Sequence, residues 1–258
     1  MGDSNPSGSM LGYLRRKINL FTLNAAAAYR KRKLAKTIDP TKVAHLEETV
    51  SCKKAWYGSS YGGFYINPEL LSSRSVVYSF GIGKDISFDL ACIKKHQCHV
   101  FGFDPTPKSI QWIKAQKTHG NFHFYEFGIS AGASGKATFY IPENPHGTSG
   151  SLLKSGELNI TKPIEVTMKS FDDITAELGH SHLDVLKMDI EGSEYEVLEN
   201  VLKSQVTIDQ ILVEFHDRQF DQETYRSKPI IEKMQAAGYG IFAHSDTYEE
   251  VSFIRNQR

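Results

Sequence analysis

One stretch constrains the fold more than any other: Leu183-Asp184-Val185-Leu186-Lys187-Met188-Asp189-Ile190-Glu191-Gly192-Ser193-Glu194-Tyr195. An apolar run stops at two carboxylates and a glycine, and a helical pattern follows. Strand, loop and helix in that order form the unit of an open α/β sheet. Such sheets hold ligands just past the carboxyl ends of their strands. Asp189 and Glu191 are therefore expected at a ligand-binding edge.

The same alternation runs from Ser75 onward. β-rich runs cover Ser75–Phe80, Cys98–Phe103, Asn121–Phe127, Lys136–Ile141, Ile164–Met168, Leu183–Asp189 and Gln210–His216. Helical patterns cover Asp85–His96, Pro107–Lys117, Phe171–Leu178, Ser193–Lys203 and Lys228–Ala237. Tyr239–Ala243 and Glu250–Ile254 read as a closing hairpin around Ser245-Asp246-Thr247, which adds an antiparallel edge strand. Alternating strands and helices imply right-handed βαβ units and an α/β fold with a doubly wound, mostly parallel sheet.

The start of the chain reads differently. Residues 1–9 are polar and rich in Gly and Ser, and read as an expression scar ahead of Met10. Residues 10–55 are expected to form a helical N-terminal extension, and residues 56–258 the catalytic domain. Leu11–Lys36 is helix-like, with basic clusters at Arg15–Lys17 and Arg30–Lys33 that are expected to face water. The sharper alternative is a membrane-surface contact or an oligomer contact such as a homodimer's. A second short helix is expected over Lys42–Ser51. Trp56–Phe64, with three glycines among its aromatics, is read as too irregular for a regular element. It is a candidate substrate loop, with Tyr61 as the contact, or else plain aromatic packing.

Lys+Arg and Asp+Glu are equal at 30 each. That balance argues against bulk attraction to nucleic acid. No apolar run is long enough to span a membrane. Cys52, Cys92 and Cys98 lack metal-type spacing; Cys92 and Cys98 are expected in the core, and a reducing, cytoplasmic setting follows.

Gly81-Ile82-Gly83 follows a strand and opens a helix, and Asp104 ends the next strand. Glycine lets the backbone turn sharply under a ligand, and a strand-end carboxylate accepts hydrogen bonds from ribose hydroxyls. A dinucleotide site adds a third glycine, where this chain has Ile86. That disfavours a nicotinamide-dependent oxidoreductase. It leaves room for S-adenosyl-L-methionine, which has no pyrophosphate. Gly128 and Ile129, after the third strand, are placed for an adenine slot.

At these residues the chain resembles the FkbM-type methyltransferase family. The resemblance rests on Lys187–Glu194, Val213-Glu214-Phe215-His216, Gly147-Thr148-Ser149-Gly150-Ser151-Leu152 and Tyr61-Gly62-Gly63. It implies a seven-stranded, Rossmann-like class I methyltransferase sheet, S-adenosyl-L-methionine as donor, and O-methylation of a sugar, glycan or other small polar acceptor. One position departs: such enzymes often carry an acid two residues before the first glycine, and here that residue is Ser79. Asp85, one turn into the following helix, is expected to take part of its role.

An aliphatic alcohol is a poor acid, so the acceptor's proton needs a base or a metal. Glu214 and His216 are two apart on a strand and share a face. Asp189, Glu214 and His216 together suit Mg²⁺ or Mn²⁺. Without a metal, a neutral His216 or Glu191 is the general base. The Pro142–Ser155 loop, with Ser149 and Ser151 as substrate contacts, is read as a lid. A scaffold that binds cofactor without catalysis is the non-enzyme alternative.

Overall fold

The computed structural model describes residues 28–139, 163–219 and 225–256. Its strands are β1 (Ala55–Tyr57), β2 (Phe64–Ile66), β3 (Val76–Phe80), β4 (His99–Phe103), β5 (Phe122–Tyr125) and β6 (Gly128–Ser130). They continue as β7 (Gly135–Phe139), β8 (Ile164–Ser170), β9 (His182–Met188), β10 (Thr207–Glu214), β11 (Tyr239–His244) and β12 (Glu250–Arg255). The central sheet has seven strands in the order β11-β12-β10-β9-β3-β4-β5.

This sheet is mixed. From β5 to β10 neighbours run parallel, but β12 is antiparallel to both β10 and β11. A tight turn joins β11 to β12, closed by the Ser245 N–H on the Glu250 carbonyl, and only antiparallel strands can be joined so. The expected hairpin is present. Its second strand enters the sheet, so β11 forms the edge.

Successive residues of the central strands go to opposite faces, and both faces are buried. Tyr78, Phe80, Leu186, Met188, Ile211 and Val213 pack on one side. Val77, Val185 and Leu212 pack on the other, under the helix Ser87–His96 with Cys92 and Ile93. Cys92 and Cys98 are buried core residues, as expected. Asp184 anchors the entry to β3 by accepting from the Ser75 hydroxyl and the Val76 N–H.

Three expectations are corrected. Trp56–Phe64 is irregular only in part: its ends belong to β1 and β2, which pair antiparallel with Phe64 and Ile66 fully buried, and residues 58–63 connect them. The intervening glycines form the turn, and they hid the period-two pattern. The helix expected over Lys42–Ser51 spans only Pro40–Val43, with a 3₁₀ turn through Leu46. Thr49 and Val50 then donate to the Ile241 carbonyl and cover the β11 edge. Ile164–Met168 and the described part of Lys136–Ile141, through Phe139, do not join the main sheet; β7 and β8 form a separate sheet with β6. Of the N-terminal extension, residues 28–35 are helical; the basic cluster at Arg15–Lys17 lies outside the described residues.

Leu186 is wholly buried at the centre of the sheet. Leu186→Ala is expected to remove about 2–5 kcal/mol of stability, read by urea denaturation. A loss under about 1 kcal/mol would contradict the packing described.

Candidate active site

The carboxyl ends of β3, β4 and β9 frame an open cleft of about 780 Å³. Gly81, at φ 78°, makes the bend that opens it. A Cβ on Gly81 would lie 1.6 Å from the Asp189 carbonyl oxygen, so the approach of β3 to β9 admits only glycine. Gly83 also has positive φ, but a Cβ there would meet nothing within 4 Å. Phe80 and Phe103 stack at 4.4 Å in the cleft wall. Gly128 and Ile129 line it from β6, and a Cβ on Gly128 would press on Met168 and Pro105.

Asp104 is buried at the end of β4, where its carboxylate staples two loops. It accepts from the Gly83 N–H at 2.8 Å, the Thr106 N–H at 2.8 Å and the Thr106 hydroxyl at 2.6 Å. Burial raises its pKa, against these hydrogen bonds. Asp85 lies before the helix, not one turn inside it. It accepts from the Ser87 N–H at the helix start and from the Ser59 hydroxyl. Asp85 thereby ties the Ser59–Gly62 turn to the helix start, and it also lines the cleft.

Asp189 and Glu191 form the rim between this cleft and a second, polar chamber that also contains Glu214 and His216. His216 Nε2 is 3.5 Å from Glu191 and 3.8 Å from Asp189. Glu191 sits at φ 55°, an uncommon conformation for a non-glycine residue, and Gly192 follows at φ 98°. Ligand atoms of Asp189, Glu214 and His216 all lie within 4.8 Å of one another.

Glu194 is the residue that the sequence reading missed. Its carboxylate is fully buried and accepts from His216 Nδ1 at 2.7 Å. The same oxygen accepts from the Ile190 and Gly192 N–H groups, each at 3.1 Å. One buried side chain thus fixes both the histidine ring and the loop that carries Glu191. An acid two residues past Gly192, at a helix start, was the available signal.

Burial opposes charge on His216, but Glu194, Asp189 and Glu191 outweigh it and hold the ring's pKa well above the ordinary histidine value. The neutral imidazole expected near pH 7 is not what this cluster favours. Burial, then Asp189 and Glu250, push the Glu214 carboxyl well up.

The helix at 28–35 adds a cation. Lys31 pairs with Glu250, which is buried, and its chain lines the polar chamber. Arg32 and Lys33 face water as expected, whereas Lys31 and the exposed Arg30 line the polar chamber. Tyr61 lines both cavities. Ser149, Ser151 and the Pro142–Ser155 loop lie outside the described residues. Among the described residues no helix is long and apolar enough to cross a membrane.

A glycine bend, a strand-end aspartate and an acid-rimmed cleft thus meet at the carboxyl edge of an α/β sheet, where such sheets hold ligands. The family model described as "Methyltransferase FkbM domain" matches residues 75–241, more than half of the chain, and the chain belongs to that family. It is 25% identical over 165 residues to the human protein named "Probable methyltransferase-like protein 24", covering 63% of this chain and 38% of that one. The Rattus norvegicus protein of the same name is 26% identical over 165 residues, covering 63% and 39%. The chain thus spans less than half the length of these relatives.

Among solved structures, it is similar to methyltransferase FkbM from Methylobacillus flagellatus, at 14% identity and TM-score 0.40, covering 71% of this chain and 44% of that one. It is also similar to a Methanococcus jannaschii fibrillarin, at 13% identity and TM-score 0.41, covering 72% and 69%.

Two outcomes follow. Gly83→Ala is expected to cost about 1–2 kcal/mol for the left-handed backbone alone. Gly81→Ala, which meets a carbonyl, should cost clearly more in the same denaturation assay; equal losses would contradict the close approach. For metal-free protein, the stability due to the His216 cation is complete below about pH 6.5 and is lost as pH rises through the raised folded value. The stability gap between wild type and His216→Asn should therefore narrow at alkaline pH. A gap that widens would contradict the carboxylate cage.

Proposed function

We propose that this chain is an S-adenosyl-L-methionine-dependent O-methyltransferase whose acceptor is a hydroxyl of a sugar, glycan or other small polar molecule. One observation carries the reading: Tyr61, Asp189 and Glu191 line both the glycine-bend cleft and the carboxylate–imidazole chamber. A donor cleft and an acceptor chamber that share a wall are what group transfer requires.

The cleft fits this cofactor. Gly81 makes the bend that opens the cleft, and Asp104 offers a carboxylate beside the Gly83 turn. Gly128 and Ile129 offer a flat, apolar wall for adenine. Asp189 is placed for the amino-acid end. When bound, the cofactor supplies a methyl group on a sulfonium sulfur, already activated for displacement. The chain must then orient the acceptor and take its proton.

Two arrangements of the chamber accomplish this. In one, Asp189, Glu214 and His216 hold Mg²⁺ or Mn²⁺, oxygen and imidazole being suitable ligands, and the cation lowers the acceptor's pKa. In the other, Glu191 receives the proton, and His216, steadied by Glu194, orients that carboxylate. Both put the chemistry at the shared rim.

Calorimetry with S-adenosylhomocysteine is expected to give micromolar or tighter binding, with none for NAD. Binding of NAD alone would reverse the class. Asp104→Ala should weaken cofactor binding by roughly ten-fold or more, from one charged hydrogen-bond acceptor lost. His216→Ala should lower turnover and spare cofactor affinity; equal cofactor losses in both variants would remove His216 from the acceptor side. Methyl transfer in EDTA, and after Mn²⁺ or Mg²⁺ is restored, separates the two arrangements. Full activity in chelator selects Glu191, and recovery on adding metal selects the cation.

A further inference from the structure

Lys187 has no role so far, yet it is a lysine inside the sheet. It stands in β9 between Ser79 of β3 and Leu212 of β10. The residue is only 4% exposed, and it lines the wall of the cofactor cleft. Its ammonium donates to the Gly81 carbonyl at 3.2 Å and lies 5.5 Å from the centre of the Phe64 ring.

An ammonium carries three donors, and a buried charge is unfavourable unless it is paired. Among the described residues no carboxylate oxygen comes within the 4.0 Å of an ion pair with Lys187. Asp89 is its acidic neighbour, on the helix Ser87–His96. That carboxyl is fully buried, its Oδ1 has no hydrogen-bond partner among the described residues, and burial pushes its pKa up to about 6. Asp89 therefore gives Lys187 long-range compensation and no contact. The remaining approach is from the cleft.

Asp104, Gly128 and Ile129 lie on the β4 side of that cleft, so adenosine held there leaves the amino-acid end on the β3–β9 side. We propose that Lys187 receives the carboxylate of the cofactor's amino-acid portion through its donors on the cleft side. The carboxylate is the one anionic group of the cofactor, so this contact distinguishes the intact molecule from its neutral adenosine fragments. The proposal rests on the reading that the cleft takes S-adenosyl-L-methionine.

Lys84 is the other lysine on the cleft wall, and it is half-buried. The test is calorimetry on the full chain with S-adenosylhomocysteine, its carboxamide, and 5′-methylthioadenosine, which lacks the amino-acid end. Wild type should lose roughly ten-fold or more in affinity on going from the carboxylate to the carboxamide, the range of one charged hydrogen bond. Lys187→Met should show the same loss for S-adenosylhomocysteine, with 5′-methylthioadenosine unchanged as evidence of an intact cleft. Lys84→Met should keep the wild-type preference.

Equal affinity of wild type for carboxylate and carboxamide overturns the proposal, and needs no variant that folds. So does an equal loss of both nucleosides in Lys187→Met, or a loss of the preference in Lys84→Met. Wild type that binds none of the three contradicts the cofactor reading itself, and the lysine's role falls with it.

Discussion

The structure depends on how closely the Gly81 bend approaches the Asp189 carbonyl. With no room for even one carbon between them, the ends of β3 and β9 are locked together. The rest of the site is set from that contact. The bend turns the backbone toward Asp104, and Asp104 answers with a hydrogen bond to Gly83. Beyond Asp189 the chain enters a strained turn at Glu191, which brings that carboxylate near His216. A sheet edge that must be close-packed at one point thus carries a cleft on one side and a charged chamber on the other.

Charge balance supports the same division. The chamber side concentrates acid: Asp189, Glu191, Glu194, Glu214, Glu249 and Glu250. Its cations come from different parts of the chain, with Lys31 from the N-terminal helix, His216 from the end of β10, and Arg218 pairing with Glu249. Buried carboxylates in such numbers raise one another's pKa unless cations stand among them. Glu214 is pushed up, by its burial first and then by Asp189 and Glu250.

Much of this was legible in the sequence, because its signals were local. The helix Phe171–Leu178 has the predicted bounds, since Ser170 caps it and Gly179 ends it in the left-handed region. Gly81, Asp104, Gly128, Ile129, Asp189, Glu191, Glu214 and His216 all come to one end of the sheet, as strand-end positions must. What escaped was non-local. The β1–β2 hairpin is stabilised by burying Phe64 against Phe88 of a distant helix and Ile66 in the same core. β12 enters the sheet only because β10 presents a free edge. Glu194 looks like an ordinary first-turn helix acid until His216, twenty-two residues on, is seen against it. Lys31 has the sequence signature of a solvated charge because its partner, Glu250, is far away in sequence.

The most direct test is the structure of the chain in complex with S-adenosylhomocysteine. The account predicts adenine against Gly128 and Ile129, the ribose at Asp104, and the sulfur at the rim formed by Asp189 and Glu191, facing His216. A complex with the sulfur directed away from that rim, or with the ligand outside the Gly81 cleft, would contradict it.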